Sequence, residues 1–343
     1  MVVFSRYGNT AKKLKEQLKR DQDEWSKYYW NEFVLKNLDK PLDWYWLSCN
    51  PNITWDIVKA NLDKPWDWYA LSRNPNITWD IVISNPDKHW YWSGLSRNPN
   101  ITMEIVKANP DKPWNWVSLS YNPNITWDIV EANLDKDWYW YGLSFNQNIT
   151  WDTVKENLDK LWSWVALSRN PNITWEIVEA NSHKPWNWYE LSRNPNITWE
   201  IVKANPDKSW DWYGLSRNPN ISMEIVEANP NKRWDWSGLS RNPNITMDIV
   251  KANPDKPWNW ERLSGNLNIS WDIVDANPDK SWDWNRLSRN PFKKGKEIFM
   301  ENKMREYLAA FKIQTYWRNA NYNPQYELCK RRLMRECDMF GFE

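Results

Sequence analysis

Nucleophilic and acid–base chemistry has little to work with in this 343-residue chain, which holds two histidines and three cysteines. Catalysis needs a nucleophile, an acid/base pair or a metal, converging in space. His89 and His183 replace a proline and an aspartate of a repeat, as surface drift would. Cys49, Cys329 and Cys337 are scattered, with neither ligand spacing nor an evident disulfide framework. No glycine-rich loop that could cradle a phosphate is present, and there are only 8 glycines. Asp56 and Asp67 recur as Asp, Glu or Asn in many units, which suits helix starts better than one active site. These residues predict a non-enzymatic protein with no cofactor and no metal.

What the chain does have is tryptophan, 32 of them, on a fixed period. Asn50 recurs as Asn74, Asn98, Asn122, Asn146, Asn170, Asn194, Asn218, Asn242, Asn266 and Asn290, each step 24 residues with no insertion or deletion. Each unit reads as two short helices. The first runs from Trp55 to Ala60, with Thr54 as N-cap and Asp56 favoured by the helix dipole. The second starts near Pro65 at N1, behind Lys64, and ends near Arg73. Asparagine side chains at both helix ends can bond free carbonyls or loop amides. Helices this short are marginal alone and need neighbours, which predicts an all-α solenoid of two-helix 24-residue repeats. Stacking at roughly 8–10 Å per unit predicts a rod or arc. Its ends are expected to be helical caps. Residues 1–36 form a basic N-terminal segment and degenerate cap, 37–291 the repeats, and 292–343 a basic C-terminal cap and tail. Within that tail, 293–317 and 325–340 read as amphipathic helices broken near Asn323-Pro324.

Repetition within the chain separates fixed from variable positions. Trp68, Leu71 and Ser72 have counterparts in every unit, and with Ile53, Ile57 and Val58 they are the expected core. Ser72 is small enough to let helices approach closely. On the opposite side stand a constant Trp66 and a mostly constant Arg73, with two varying positions between. The candidate binding stripe is therefore Trp66, Arg73, Trp90, Arg97, Trp162, Arg169, Trp186, Arg193, Trp210, Arg217, Trp234, Arg241, Trp282 and Arg289. The alternative is that Trp66 packs against the next unit with Arg73 over its indole as a cation–π lid.

Net charge is +1, but residues 37–291 carry 26 Lys/Arg against 32 Asp/Glu between basic ends. An acidic array is a poor reader of a phosphate backbone, so nucleic acid is an unlikely partner. No stretch approaches 18 apolar residues, which predicts no membrane span, and no segment reads as a signal peptide. Asn-Ile-Thr or Asn-Ile-Ser occurs ten times from Asn52 to Asn268 and reads as a turn plus N-cap rather than as glycosylation sites.

The segment Leu71-Ser72-Arg73-Asn74-Pro75-Asn76-Ile77-Thr78 resembles the leucine-rich variant repeat, a curved solenoid. Here Trp stands where that family is aliphatic or Arg, and the cysteine cluster of some members is missing, so no cofactor carries over. The unit from Asn194 to Arg217 is more similar to the Trp-rich tandem-repeat family of giant, mimivirus-like DNA viruses of amoebae. The run Lys312-Ile313-Gln314-Thr315-Tyr316-Trp317-Arg318 resembles tails in the same family. That resemblance implies a viral protein of host cytoplasm or virion, and it implies no particular activity. Ile313-Gln314 with Arg318 also resembles the first half of a calmodulin-type target, against a cap helix packing Tyr307, Leu308 and Phe311 on the last repeat. The expected function is a protein-binding or assembly scaffold with a viral or host protein partner. The alternative is a ligand-binding module whose Trp/Arg stripe stacks on nucleic-acid bases or sugar rings.

Overall fold

The computed structural model describes residues 2–323 and 325–340, and among them there is no strand. Two compact bodies divide the chain: Asp23–Lys294, and Met1–Gln22 together with Gly295–Glu343. The repeat body thus begins before the expected boundary at 37 and ends just past 291.

Each unit is two short helices, as the period predicts. The first, Trp55–Ala60, takes Thr54 as N-cap, whose side chain accepts from Ile57 N. It ends at Asn61, whose Nδ2 donates back to Ile57 O at 2.8 Å. The second helix starts later than proline chemistry suggests, at Trp68 rather than Pro65. Asp67 is its N-cap and accepts from Ala70 N at 2.7 Å. A side-chain acceptor at 67 satisfies an orphan helix amide that Lys64, a donor only, cannot serve.

The invariant asparagine ties units together. Asn74 is fully buried, and its Nδ2 donates to Ser48 O at 2.8 Å and Asn50 O at 3.0 Å. Its Oδ1 accepts from Asn76 N at 2.8 Å. Asn76 Nδ2 in turn donates to Pro51 O and Ile53 O, at 2.8 and 2.9 Å. Ser72 Oγ accepts from Tyr91 N of the following unit at 2.9 Å. One inserted residue would break every one of these bonds, which explains the constant length. The repeated Asn-Ile-Thr is a turn and cap here, with the Asn76 amide nitrogen already committed.

This ladder does not stop at the ends. Asn50 Nδ2 donates to Ser288 O at 3.0 Å and Asn290 O at 3.1 Å, the same acceptors one unit back in register. Asp43 N donates to Ser288 Oγ at 3.0 Å, as Asp67 N does to Ser48 Oγ. Asn52 Nδ2 reaches Pro291 O at 2.9 Å. The last unit therefore stands directly before the first. Eleven second helices, from Trp44–Ser48 to Trp284–Arg289, close into a ring instead of the expected open rod or arc. Closure over eleven units requires about 33° of turn per unit.

The N-terminal stretch expected as a cap is the missing first helix of the seam unit. The π-helical turn Tyr29–Val34 buries Tyr29, Trp30, Phe33 and Val34. Phe33 packs on Trp271 (5.2 Å between centroids) and edge-on to Phe292 (4.9 Å). Phe292 is fully buried at φ 46°, a left-handed conformation held in place by this aromatic cluster.

In the other body, helix Lys293–Tyr322 contributes most of its length and is followed by helix Glu327–Phe340. The break expected near Asn323-Pro324 falls between them, Pro324 itself lying outside the described residues. The Tyr307 hydroxyl donates to Asp21 Oδ1 at 2.7 Å and receives Gln17 Nε2. Leu308 and Phe311 are exposed.

Candidate functional site: the exposed side of the inner helices

Successive second helices touch one another directly, whereas first helices do not pair closely, so the second helices form the inner wall of the ring. Four positions, one in the connection before this helix and three on it, decide what the wall presents.

The first is the constant tryptophan of the connection, and it corrects the candidate stripe. Trp66, Trp162, Trp186, Trp210 and Trp282 expose only 7–9% of their surface, and Trp90 and Trp234 are half-buried. Each indole N–H donates to the carbonyl of the preceding asparagine, as Trp66 does to Asn61 at 2.7 Å and Trp162 to Asn157 at 2.7 Å. Each ring packs edge-on against the tryptophan that opens the previous second helix, Trp68–Trp90 at 5.4 Å and Trp164–Trp186 at 5.0 Å. Trp66 precedes the helix, so a helical-wheel angle between Trp66 and Trp68 has no meaning. The alternative given for Trp66, packing against a neighbouring unit, is the one found, whereas Trp68, expected in the core, is half-exposed. The Trp66 kind fills the space between units, and the Trp68 kind is half-exposed; at Trp116, Trp164, Trp212, Trp236 and Trp260 a lysine of the next unit lies over the ring, as Lys184 Nζ does 5.6 Å from the Trp164 ring centre.

The arginines of the stripe do face solvent. Arg73, Arg97, Arg193, Arg217 and Arg241 are half-buried, and Arg169 and Arg289 exposed. Their cation–π partners are not the predicted indoles of the connection. Arg73 lies over Tyr69 (5.7 Å), Arg97 over Tyr121 (4.1 Å), Arg169 over Phe145 (5.2 Å), Arg193 over Tyr189 (5.4 Å) and Arg217 over Tyr213 (5.6 Å). Tyr45 and Tyr69 stack at 6.4 Å, and Tyr189 and Tyr213 at 6.3 Å. Burial first, then the charge of Arg193, pushes the Arg217 guanidinium below its usual pKa.

The two varying positions are not equivalent. The first (Tyr69, Ser93, Val117, Tyr141, Val165, Tyr213) is half- or fully exposed in every unit. The second is buried wherever it is Ala, Gly or Ser, because the neighbouring helix lies against it. A Cβ on Gly94 would meet Ser72 Cβ at 2.7 Å, and one on Gly214 would meet Ser192 Cβ at 2.9 Å. The exceptions are Trp46, Glu190, Arg262 and Arg286. Ala70, Gly94, Ser118, Gly142 and Ala166 were a visible signal of close helix approach, obscured when both positions are read as free.

Among the described residues no group of His, Cys, Asp or Glu could hold a metal ion, and no helix is long and apolar enough to cross a membrane. Cys49 is half-buried, with its thiol pushed up by burial; Cys329 is buried, and the side chain of Cys337 lies outside the described ones. Ile313 and Arg318 of the calmodulin-target resemblance are exposed. No family model, curated protein or solved structure matches this chain.

Proposed function

We propose that this is a non-enzymatic scaffold, the product of a large DNA virus acting in host cytoplasm or virion, that holds a protein partner on the exposed side of its inner helices. One observation carries the reading: the exposed position at 69 and its equivalents changes freely among Tyr, Ser, Val, Glu and Asn, on a frame whose buried leucine and serine and whose asparagine ladder stay constant. A frame that stays constant while one exposed position varies suits recognition of an irregular partner surface. Tyrosine and arginine, which stand paired there as Tyr189–Arg193 and Tyr213–Arg217, are also the residues that most often dominate protein interfaces.

The recognition elements in this reading are Tyr and Arg, with Trp as structure beneath them. The test is affinity purification from infected cells with the wild type and with a Tyr189→Ser, Tyr213→Ser double variant. Salt-insensitive capture of one protein by the wild type alone supports the scaffold. Equal capture by both removes this face from the interface. Capture of nucleic acid that falls steeply with salt would replace the protein-scaffold reading with base stacking.

A further inference from the structure

The ring is not uniform in charge. At Glu190 the close-approach position carries a carboxylate, and that carboxylate sits between two wall arginines, Arg193 at 3.6 Å and Arg169 at 3.9 Å. Three units later along the chain the same position turns basic, as Arg262 and then Arg286, with Trp46 next around the closed ring. Three consecutive units therefore carry bulky residues where helices elsewhere meet through Gly, Ala or Ser.

A cleft of about 380 Å³ opens there, lined by Trp46, Arg241, Gly265, Asp283, Arg286 and Arg289. Gly265 occupies the position that holds Arg in seven other units. A Cβ built on it would find Arg241 Nη2 at 3.8 Å and Arg286 Cβ at 4.0 Å, so the missing side chain leaves space between those two arginines. Asp283 is already committed to Arg286, Oδ2 to Nε at 2.7 Å. Asp43, across the seam, takes Asn285 Nδ2. Arg289 lies over the Trp46 ring at 4.3 Å. Among the described residues no carboxylate lies within ion-pair distance of Arg241, Arg262 or Arg289. Burial, then the charges of Arg217, Arg286 and Arg262, holds the Arg241 guanidinium below its usual pKa. Like charges pressed together at a partly buried site lower their mutual repulsion by taking up an anion.

We infer that the Arg241–Gly265–Arg286 cleft binds a phosphate-type oxyanion. Guanidinium groups offer paired N–H donors that match phosphate oxygens, and a doubly charged anion neutralises what Asp283 leaves over. The cleft is larger than one phosphate group, so it has room for a phosphate carried on a small organic body.

Isothermal titration of the full chain with inorganic phosphate and with O-phosphoserine, at matched ionic strength in chloride, tests this. Saturable binding at one site per chain is expected. Arg241→Gln should weaken it by at least about tenfold, the loss of one charge-assisted hydrogen-bonding partner. Gly265→Arg fills the notch with the residue most other units carry, where a Cβ meets nothing closer than 3.7 Å, so it should fold and yet abolish binding despite the added positive charge. Tighter binding of O-phosphoserine assigns the site to a phosphate borne on a larger molecule, and tighter binding of inorganic phosphate to the free ion. No saturable binding by the wild type, or unchanged affinity in a folded Gly265→Arg variant, overturns the inference.

Discussion

Closure of the ring can be read from one side chain. Asn194, in mid-array, donates from Nδ2 to Ser168 O (3.0 Å) and Asn170 O (3.1 Å) and accepts from Asn196 N (2.9 Å). Removing it takes away three hydrogen bonds, two of them buried, each with a net value of about 1 kcal/mol, and leaves Asn196 N without its acceptor. Asn194→Ala should therefore cost about 3–5 kcal/mol. In an open solenoid Asn50 would have no preceding unit to reach, keeping only Tyr29 Oη and Asn52 N as partners. In the ring it also bonds Ser288 O and Asn290 O, and Asn50→Ala should cost as much as Asn194→Ala. Urea denaturation of the two variants, compared at fixed m-value, measures the difference. If Asn50→Ala costs at least about 2 kcal/mol less than Asn194→Ala, the first unit does not rest on the last and the argument for closure fails.

Other expectations follow from the packing of each unit. Trp162→Ala should destabilise by about 3–5 kcal/mol, as deletion of a buried aromatic does, and Trp164→Ala by roughly half as much because its ring is half-exposed; thermal or chemical melts rank them. Gly214→Val should cost about 1–3 kcal/mol through overpacking against Ser192 and the Tyr189 carbonyl, whereas Gly265→Ala, whose Cβ would meet only ordinary van der Waals contacts at 3.7 Å and beyond, should be near neutral in the same melts. Deleting residues 122–145 should leave a folded chain by circular dichroism, because ten units need only about 36° of turn each. Deleting twelve residues should not, because first helix would then meet first helix; equal tolerance of both would contradict a layered stack.

Much of this was legible where local chemistry decides structure. Thr54 before Trp55 marks an N-cap because a hydroxyl can take an orphan amide, and the structure uses it so. Ser72 announces close approach by its size, and the Cβ distance at Gly94 agrees. The boundary of the second helix was misplaced because Pro65 permits a start without supplying a cap, while Asp67 supplies one. Trp66 was set opposite Trp68 for the same reason: a periodicity argument holds only inside a helix, and Trp66 lies outside it. Closure itself was hidden. Asn50 in the sequence is one more asparagine, and nothing local says that its acceptors are 238 and 240 residues away. Register around a ring is a property of summed rotations, and those depend on packing between units.

That packing contains the reason for the curvature. On the inner side, neighbouring units meet through pairs as thin as Ser72 with Gly94, or Ser192 with Gly214. Toward the outer side, each junction holds indoles: Trp55, Trp68 and Trp90 meet with centroids 5.4–6.5 Å apart, and Trp151, Trp164 and Trp186 repeat the arrangement at 5.0–6.4 Å. A junction thin on one side and filled with rings on the other is a wedge, and identical wedges stacked in series turn always the same way. Tryptophan at this density is thus spent on geometry. Some first helices open with Met103, Met223 or Met247 in place of Trp, and all three are buried, so a flexible side chain can take the slot without a change in unit length. Bulk at the outer junction and smallness at the inner one act together, and three of the four units with bulky inner residues lie side by side at the seam. There the inner wall carries the arginine-lined cleft, beside side chains too large for the close approach that Gly, Ala and Ser allow elsewhere.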